Sequence, residues 1–310
     1  MHFKKLWAFS AAFVSTAALA QAVGFATLPP GSLNHTTASA VAKVLKERAG
    51  INMLVQPTAG DNVIIPMVNH GESLMGIANA PETAMAIKEA KQSDVRLLSV
   101  AHTLQTAFFV RKDSDLKTLA DMKGKRVALG YSAMRTIDLL TRAMLATAGL
   151  TERDVKPVLV PNVVRSADDF ASGAADMFFF AFGGPKVREV DASIPLRVLE
   201  IDEKGMSAAR KITPYGFLTQ VAPGPIFIGV EKPMKVYSFD NLFLTNAKTS
   251  DEMVYKILDT LEKNKADLVA VQPVLRGFSA GNGYKQYDIP YHPGALKYFK
   301  EHNIQAKPLE

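Results

Sequence analysis

Along most of this chain, short apolar segments that read as strands alternate with segments that read as helices. That order constrains the fold more tightly than any other feature. The first series has strand-like segments at residues 23–27, 53–55, 75–78 and 95–102. The first helical stretch, residues 36–48, places Ala40, Val41, Val44 and Leu45 on one face, with Gly50 just past its end, where a left-handed cap favours glycine. A second helix starts at Gly60-Asp61-Asn62 and runs to about Asn69. A third opens on Pro81, the helical position that tolerates proline best. A second series repeats the design, with strands at 127–129, 158–160, 177–180 and 196–199 and helices at 134–148, 165–171 and 185–191. Strand–helix–strand order predicts an α/β fold of mainly parallel sheets flanked by helices. Two such series in 310 residues predict two domains of ordinary size. Residues 106–111 are extended with no helix of their own and predict the joint. Residues 225–245 read as strands returning to the first domain, and the last 60 residues read as mostly helical. A chain that crosses twice makes a cleft between two lobes with a hinge.

The first 20 residues read as a leader. Lys4 and Lys5 precede a small apolar run, and Ala18-Leu19-Ala20 fits a small-x-small cleavage site. This predicts a secretory signal peptide cut after Ala20 and a periplasmic protein. An uncut anchor is the alternative, for which the run is short. Cleavage removes two lysines and lowers the formal net charge from +6 to +4. The chain has no cysteine, which excludes thiolate metal sites and cysteine nucleophiles. Its 36 basic residues are scattered among 30 acidic ones, so the expected surface is solvated, with no nucleic acid partner. A monomer is expected.

Catalytic and cofactor motifs are sparse. Gly130-Tyr131-Ser132-Ala133-Met134 follows a strand and opens a helix, as a nucleophile elbow does, but Met134 stands where the sharp turn needs glycine. A serine hydrolase built on Ser132, or a transferase on the same two-lobed fold, is the enzyme alternative. The six histidines show no metal-ligand spacing, and no glycine-rich nucleotide motif follows a strand. No cofactor is expected. The stronger signal is four polar loops placed directly after strands, at residues 30–35, 60–62, 79–82 and 131–136. In open parallel sheets ligands bind outside the carboxyl ends of the strands, and helix N-termini there favour an anion. The candidate ligand-binding residues are therefore Ser32, Asn34, His35, Asn62, Asn79, Tyr131, Ser132, Arg135 and Thr136, with Phe182 and Gly183 past a later strand. Asn34 and His35 can equally cap the loop, and Asn79 can serve turn geometry. Arg135 opposes the dipole of the helix it opens. It either holds a carboxylate with its two-pronged guanidinium or pairs with Asp138 on a solvated face. The Phe178–Phe180 run reads as core, with Phe182 facing the cleft.

Five segments together resemble the solute-binding receptors of tripartite ATP-independent periplasmic (TRAP) transporters, in the TAXI branch. They are residues 113–126 (DSDLKTLADMKGKR), 130–136 (GYSAMRT), 172–178 (SGAADMF), 182–185 (FGGP) and 289–301 (IPYHPGALKYFKE). The last is the most specific. The first loop departs from the family's glycine- and threonine-rich pattern: residues 28–35 read LPPGSLNH, and only Gly31 and Ser32 keep its character. The family's Gly-Ser-Gly-Thr loop is here Tyr-Ser-Ala-Met-Arg-Thr. The resemblance implies a two-lobed type II periplasmic-binding-protein (Venus-flytrap) fold, with residues 21–106 and about 239–310 in lobe 1 and about 107–238 in lobe 2. It implies a binding protein, not an enzyme. Such a protein captures a small organic anion (a dicarboxylate, keto acid or acidic amino acid) between the lobes and delivers it to membrane permease subunits. Arg135 suits that anion.

Overall fold

A computed structural model describes residues 22–89, 91–213 and 215–309. The expected leader lies outside them. The strands are β1 (Val23–Thr27), β2 (Met53–Pro57), β3 (Met75–Asn79), β4 (Val95–Arg111), β5 (Arg126–Leu129), β6 (Lys156–Leu159), β7 (Phe178–Ala181), β8 (Leu196–Val198), β9 (Phe217–Val221) and β10 (Met234–Asn246). The helices are α1 (Leu33–Ala49), α2 (Asp61–Asn69), α3 (Ala80–Glu89), α4 (Arg135–Thr147), α5 (Val163–Ala171), α6 (Pro185–Ser193), α7 (Met206–Ile212), α8 (Asp251–Lys263), α9 (Lys265–Val271), α10 (Ala280–Gly283) and α11 (Pro293–Glu301).

The main sheet runs β2-β1-β3-β10-β4-β7, with β8 also on β4 and β9 also on β10; β5 and β6 pair separately. The α/β class holds, but the sheet is mixed. β1 runs parallel to β2 and β3, and β5 to β6. Every pairing through β4 or β10 is antiparallel. The reason lies in length. Residues 106–111 are not a separate joint but the end of β4, a strand of 17 residues. At ~3.3 Å per residue it spans about 55 Å. Its partners change on the way. It pairs with β10 from Val95 to Thr106, with β7 from Thr106 to Phe109, and with β8 from Phe109 to Arg111. β10 does the same, pairing with β9 over Met234–Ser238 and with β3 over Asn241–Thr245.

Apolar side chains cover both faces. Phe25, Val41, Leu45, Phe243 and Leu258 belong to one buried cluster, under α1 and α8. Phe108, Phe109, Phe178 and Leu140 belong to the other, with Phe109 stacked on Phe178 at 5.3 Å between centroids. Full burial of each such side chain contributes ~1.5–3 kcal/mol. The segment 289–301 is structural here. His292 accepts the backbone N–H of Gly294 at 3.1 Å and so caps α11. Gly294 presses on α8, where a Cβ would stand 2.4 Å from the Asp251 carbonyl oxygen.

Helix α1 begins three residues earlier than its apolar pattern predicts. Ser32 accepts the His35 N–H at 3.1 Å and caps it. Asn34 and His35 therefore sit in a helical first turn, not in a loop.

Candidate functional site

The carboxyl ends of β1, β2 and β3 converge, and the residues that follow them wall a cavity of about 30 Å³. Ser32 and Asn34 come from the start of α1, Asp61 from the start of α2, and Asn79 from the end of β3. Thr106 of β4 and Asn241 of β10 complete the polar wall. Leu28, Leu104 and Phe239 add apolar surface on that side. Met134, Ile137, Val163, Phe179 and Phe180 face them across the cavity.

The polar groups bond mainly to one another. Asn241 Nδ2 donates to Asn34 Oδ1. Asn79 Nδ2 donates to Asp61 Oδ2 at 2.8 Å, while Asn79 Oδ1 accepts the Glu82 N–H at 2.8 Å. Asp61 is 1% exposed, and its second oxygen, Oδ1, has no partner. Burial disfavours the charged carboxylate and the nearby Glu82 carboxyl adds repulsion, so the Asp61 pKa is pushed up to about 8.

Three contacts hold the two sides of the cavity together. Glu82 Oε2 accepts both the backbone N–H of Thr136, at 2.8 Å, and its hydroxyl. Thr136 lies in the first turn of α4, where free N–H groups favour a carboxylate. The Lys186 N–H donates to the Gly31 carbonyl at 3.1 Å. Gly60 lies so close to Ala133 that a Cβ there would stand 1.7 Å from the Ala133 carbonyl oxygen, an approach only glycine allows.

Of the residues expected from sequence, Ser32, Asn34 and Asn79 line the cavity, and Thr136 closes it through Glu82. Others stand elsewhere. His35 is half-buried outside the wall. Asn62 is exposed, because the first turn of α2 turns its neighbour Asp61 inward instead. Tyr131 is buried in the core at a φ of 22°, and Ser132 is exposed. No described hydrogen bond joins the Ser132 hydroxyl to a histidine, as an elbow nucleophile would need. Arg135 points outward. It is 66% exposed and, among the described residues, reaches only Glu89, at 4.0 Å. Nor does it pair with Asp138, which binds Arg142 at 2.7 Å and accepts the Gly130 N–H. The Phe178–Phe180 run is core as expected, and Phe182 does not face the cleft. Phe182 is buried between Phe109 and Phe227, with Gly183 beside it against Leu33 and Ile226, whereas Phe179 and Phe180 reach the cavity.

Sequence reasoning missed Asp61, Glu82, Thr106 and Asn241. One signal pointed to Asn241: Ser238, Asp240 and Asn241 interrupt the apolar stretch Val236–Leu244, and a polar residue buried in such a stretch needs a partner.

A family model for the NMT1-like family matches residues 25–302. The chain belongs to the NMT1-like family. Solved structures share its architecture at low identity. The aliphatic sulphonate binding protein SsuA of Escherichia coli is 16% identical, covers 91% of this chain and 83% of its own, and has a TM-score of 0.50. The amino acid ABC transporter substrate-binding protein AbpA of Streptococcus pneumoniae, solved with L-arginine, is 14% identical over 82% of this chain and 94% of its own, with a TM-score of 0.51. An arginine-specific periplasmic binding protein of Salmonella typhimurium is 16% identical over 82% and 98%, with a TM-score of 0.50. This NMT1-like protein therefore has the type II periplasmic-binding-protein fold. Among its described residues no helix is long and apolar enough to cross a membrane.

Proposed function

We propose that this protein is an extracytoplasmic solute-binding protein that captures a small molecule between two lobes and delivers it to membrane permease subunits. The observation that carries the reading is the walled cavity itself, its two sides held together by the Glu82–Thr136, Gly31–Lys186 and Gly60–Ala133 contacts. The lobes divide where the long strands change partners, near Thr106 and Phe239. Residues 22–106 and 239–309 make one lobe and 107–238 the other, with β4 and β10 as the hinge. Among the described residues the chain passes between the lobes within β4 and β10, which can bend as the lobes part. Export rests on the leader in residues 1–20, and a TRAP-type permease rests on the order of the five motif segments.

An organic anion held by Arg135 is not the solute this geometry favours, since Arg135 lies outside the cavity and no Lys, Arg or His lines the wall. Small-angle scattering tests the proposal. A solute that raises the melting temperature should also shift the population towards the smaller, closed radius. A radius indifferent to every stabilising solute would refute capture by closure.

A further inference from the structure

We infer that the solute carries a compact protonated amine that docks on Asp61. The inference rests on the solute-binding reading and names the chemistry of the same cavity. Its centre is Asp61 Oδ1, a carboxyl oxygen on a residue 1% exposed, lining the cavity with no hydrogen-bond partner. Asn241 Oδ1, on a fully buried residue of the same wall, is also unpartnered. A buried polar atom left bare is costly. Asn241 Oδ1 accepts, and so does Asp61 Oδ1 once its proton is lost. The wall's one ionisable side chain is Asp61. The neighbouring Glu82 carboxyl is committed to Thr136.

A carboxylate ligand could bond Asp61 only while Asp61 keeps its proton, and would set two carboxyl groups against each other. An ammonium brings three donors and a positive charge, and it meets the one Asp61 oxygen that has no partner. A buried charge of either sign is tolerated only when paired. Size agrees. A cavity of about 30 Å³ holds roughly two water-sized groups at ~10–15 Å³ each, room for an amine head and one attached carbon. Met134, Ile137 and Phe180 offer that carbon an apolar cover. Because the empty site keeps Asp61 largely protonated at neutral pH, docking an ammonium expels that proton to solvent.

The test uses the purified protein with two matched panels: methylammonium, ethanolamine and glycinamide as chlorides, and formate, acetate and glycolate as sodium salts, against sodium chloride. At least one amine should raise the melting temperature while the carboxylates do not. Isothermal titration at pH 7 in two buffers of different ionisation heat should show close to one proton released per amine bound. Asp61→Asn should weaken that binding at least ~30-fold, with the circular dichroism spectrum unchanged. If carboxylates bind and amines do not, the amine assignment falls while solute capture stands. Amine binding that survives Asp61→Asn, or that releases no proton, overturns the assignment too. If neither panel binds, the amine assignment falls, and the scattering test decides solute capture separately.

Discussion

Asp61→Asn should gain stability relative to the unsubstituted protein as the pH rises. The carboxyl has a pKa of 3.8 in the unfolded chain and is pushed up to about 8 in the fold. A carboxyl with a raised folded-state pKa binds protons more tightly folded than unfolded, so its effect on stability worsens with increasing pH. Below pH 3.8 both states are protonated and the group costs nothing through titration. Between 3.8 and 8 the unfolded chain ionises while the folded one resists, and above 8 the penalty is complete. At ~1.4 kcal/mol per pH unit, the penalty is about 1.6 kcal/mol at pH 5 and about 4 kcal/mol at pH 7. Asparagine does not titrate. Its oxygen can still accept from Asn79, but its amide N–H faces the empty cavity at a cost of ~1–3 kcal/mol, independent of pH. The slope is therefore decisive, not the offset. The advantage of the variant should grow by ~2–3 kcal/mol from pH 5 to pH 7, which is ~5 °C in melting temperature at ~2 °C per kcal/mol for a chain this long. Melting curves of both proteins at pH 5, 6, 7 and 8 measure it. A difference that stays flat across this range would mean that Asp61 is ionised and solvated in the fold, and the desolvation argument would be refuted.

Gly60→Ala should block closure, since its Cβ would lie far inside the 3.0 Å that real Cβ atoms keep from the Ala133 backbone. The fold should persist, the scattering radius should stay at the open value, and solute binding should fall by tenfold or more. Thr136→Val removes the hydroxyl that donates to buried Glu82 and keeps the N–H. Losing one such partner costs ~1–3 kcal/mol, and weaker solute binding with a more open scattering profile is the expected result. Arg135→Ala should leave solute binding within twofold and stability within ~0.5 kcal/mol, because its one ion pair is exposed and long; titration and melting curves check both. Mass spectrometry of the exported protein should find a new N-terminus at or within a few residues of Gln21, and an intact Met1 on exported protein would contradict cleavage.

The sequence by itself determined what depends on neighbours along the chain. Hydrophobic periodicity and helix stops are local, so α1, α4 and α6 stand within a few residues of their predicted bounds. The loops after β1, β2 and β3 converge as an α/β order requires, which made Ser32, Asn34 and Asn79 legible. What the tertiary structure alone decided depends on residues far apart. That β4 is one 17-residue strand follows from its pairing with β10, more than 120 residues later, and no local pattern separates a long strand from a strand plus a joint. Which of two adjacent polar residues turns inward depends on the angle at which a helix docks; hence Asp61, not Asn62, lines the cavity. Arg135 was rightly read as pointing away from its own core. The direction of the cleft, however, is set by the opposite lobe, and at this point the opposite lobe presents Glu89 on the outer surface. Asn241 could be read as an anomaly in an apolar strand, but its partner Asn34 lies 207 positions away. A side chain's charge is a local fact. Its exposure, its partner and its pKa arise only when distant segments exclude water from it together.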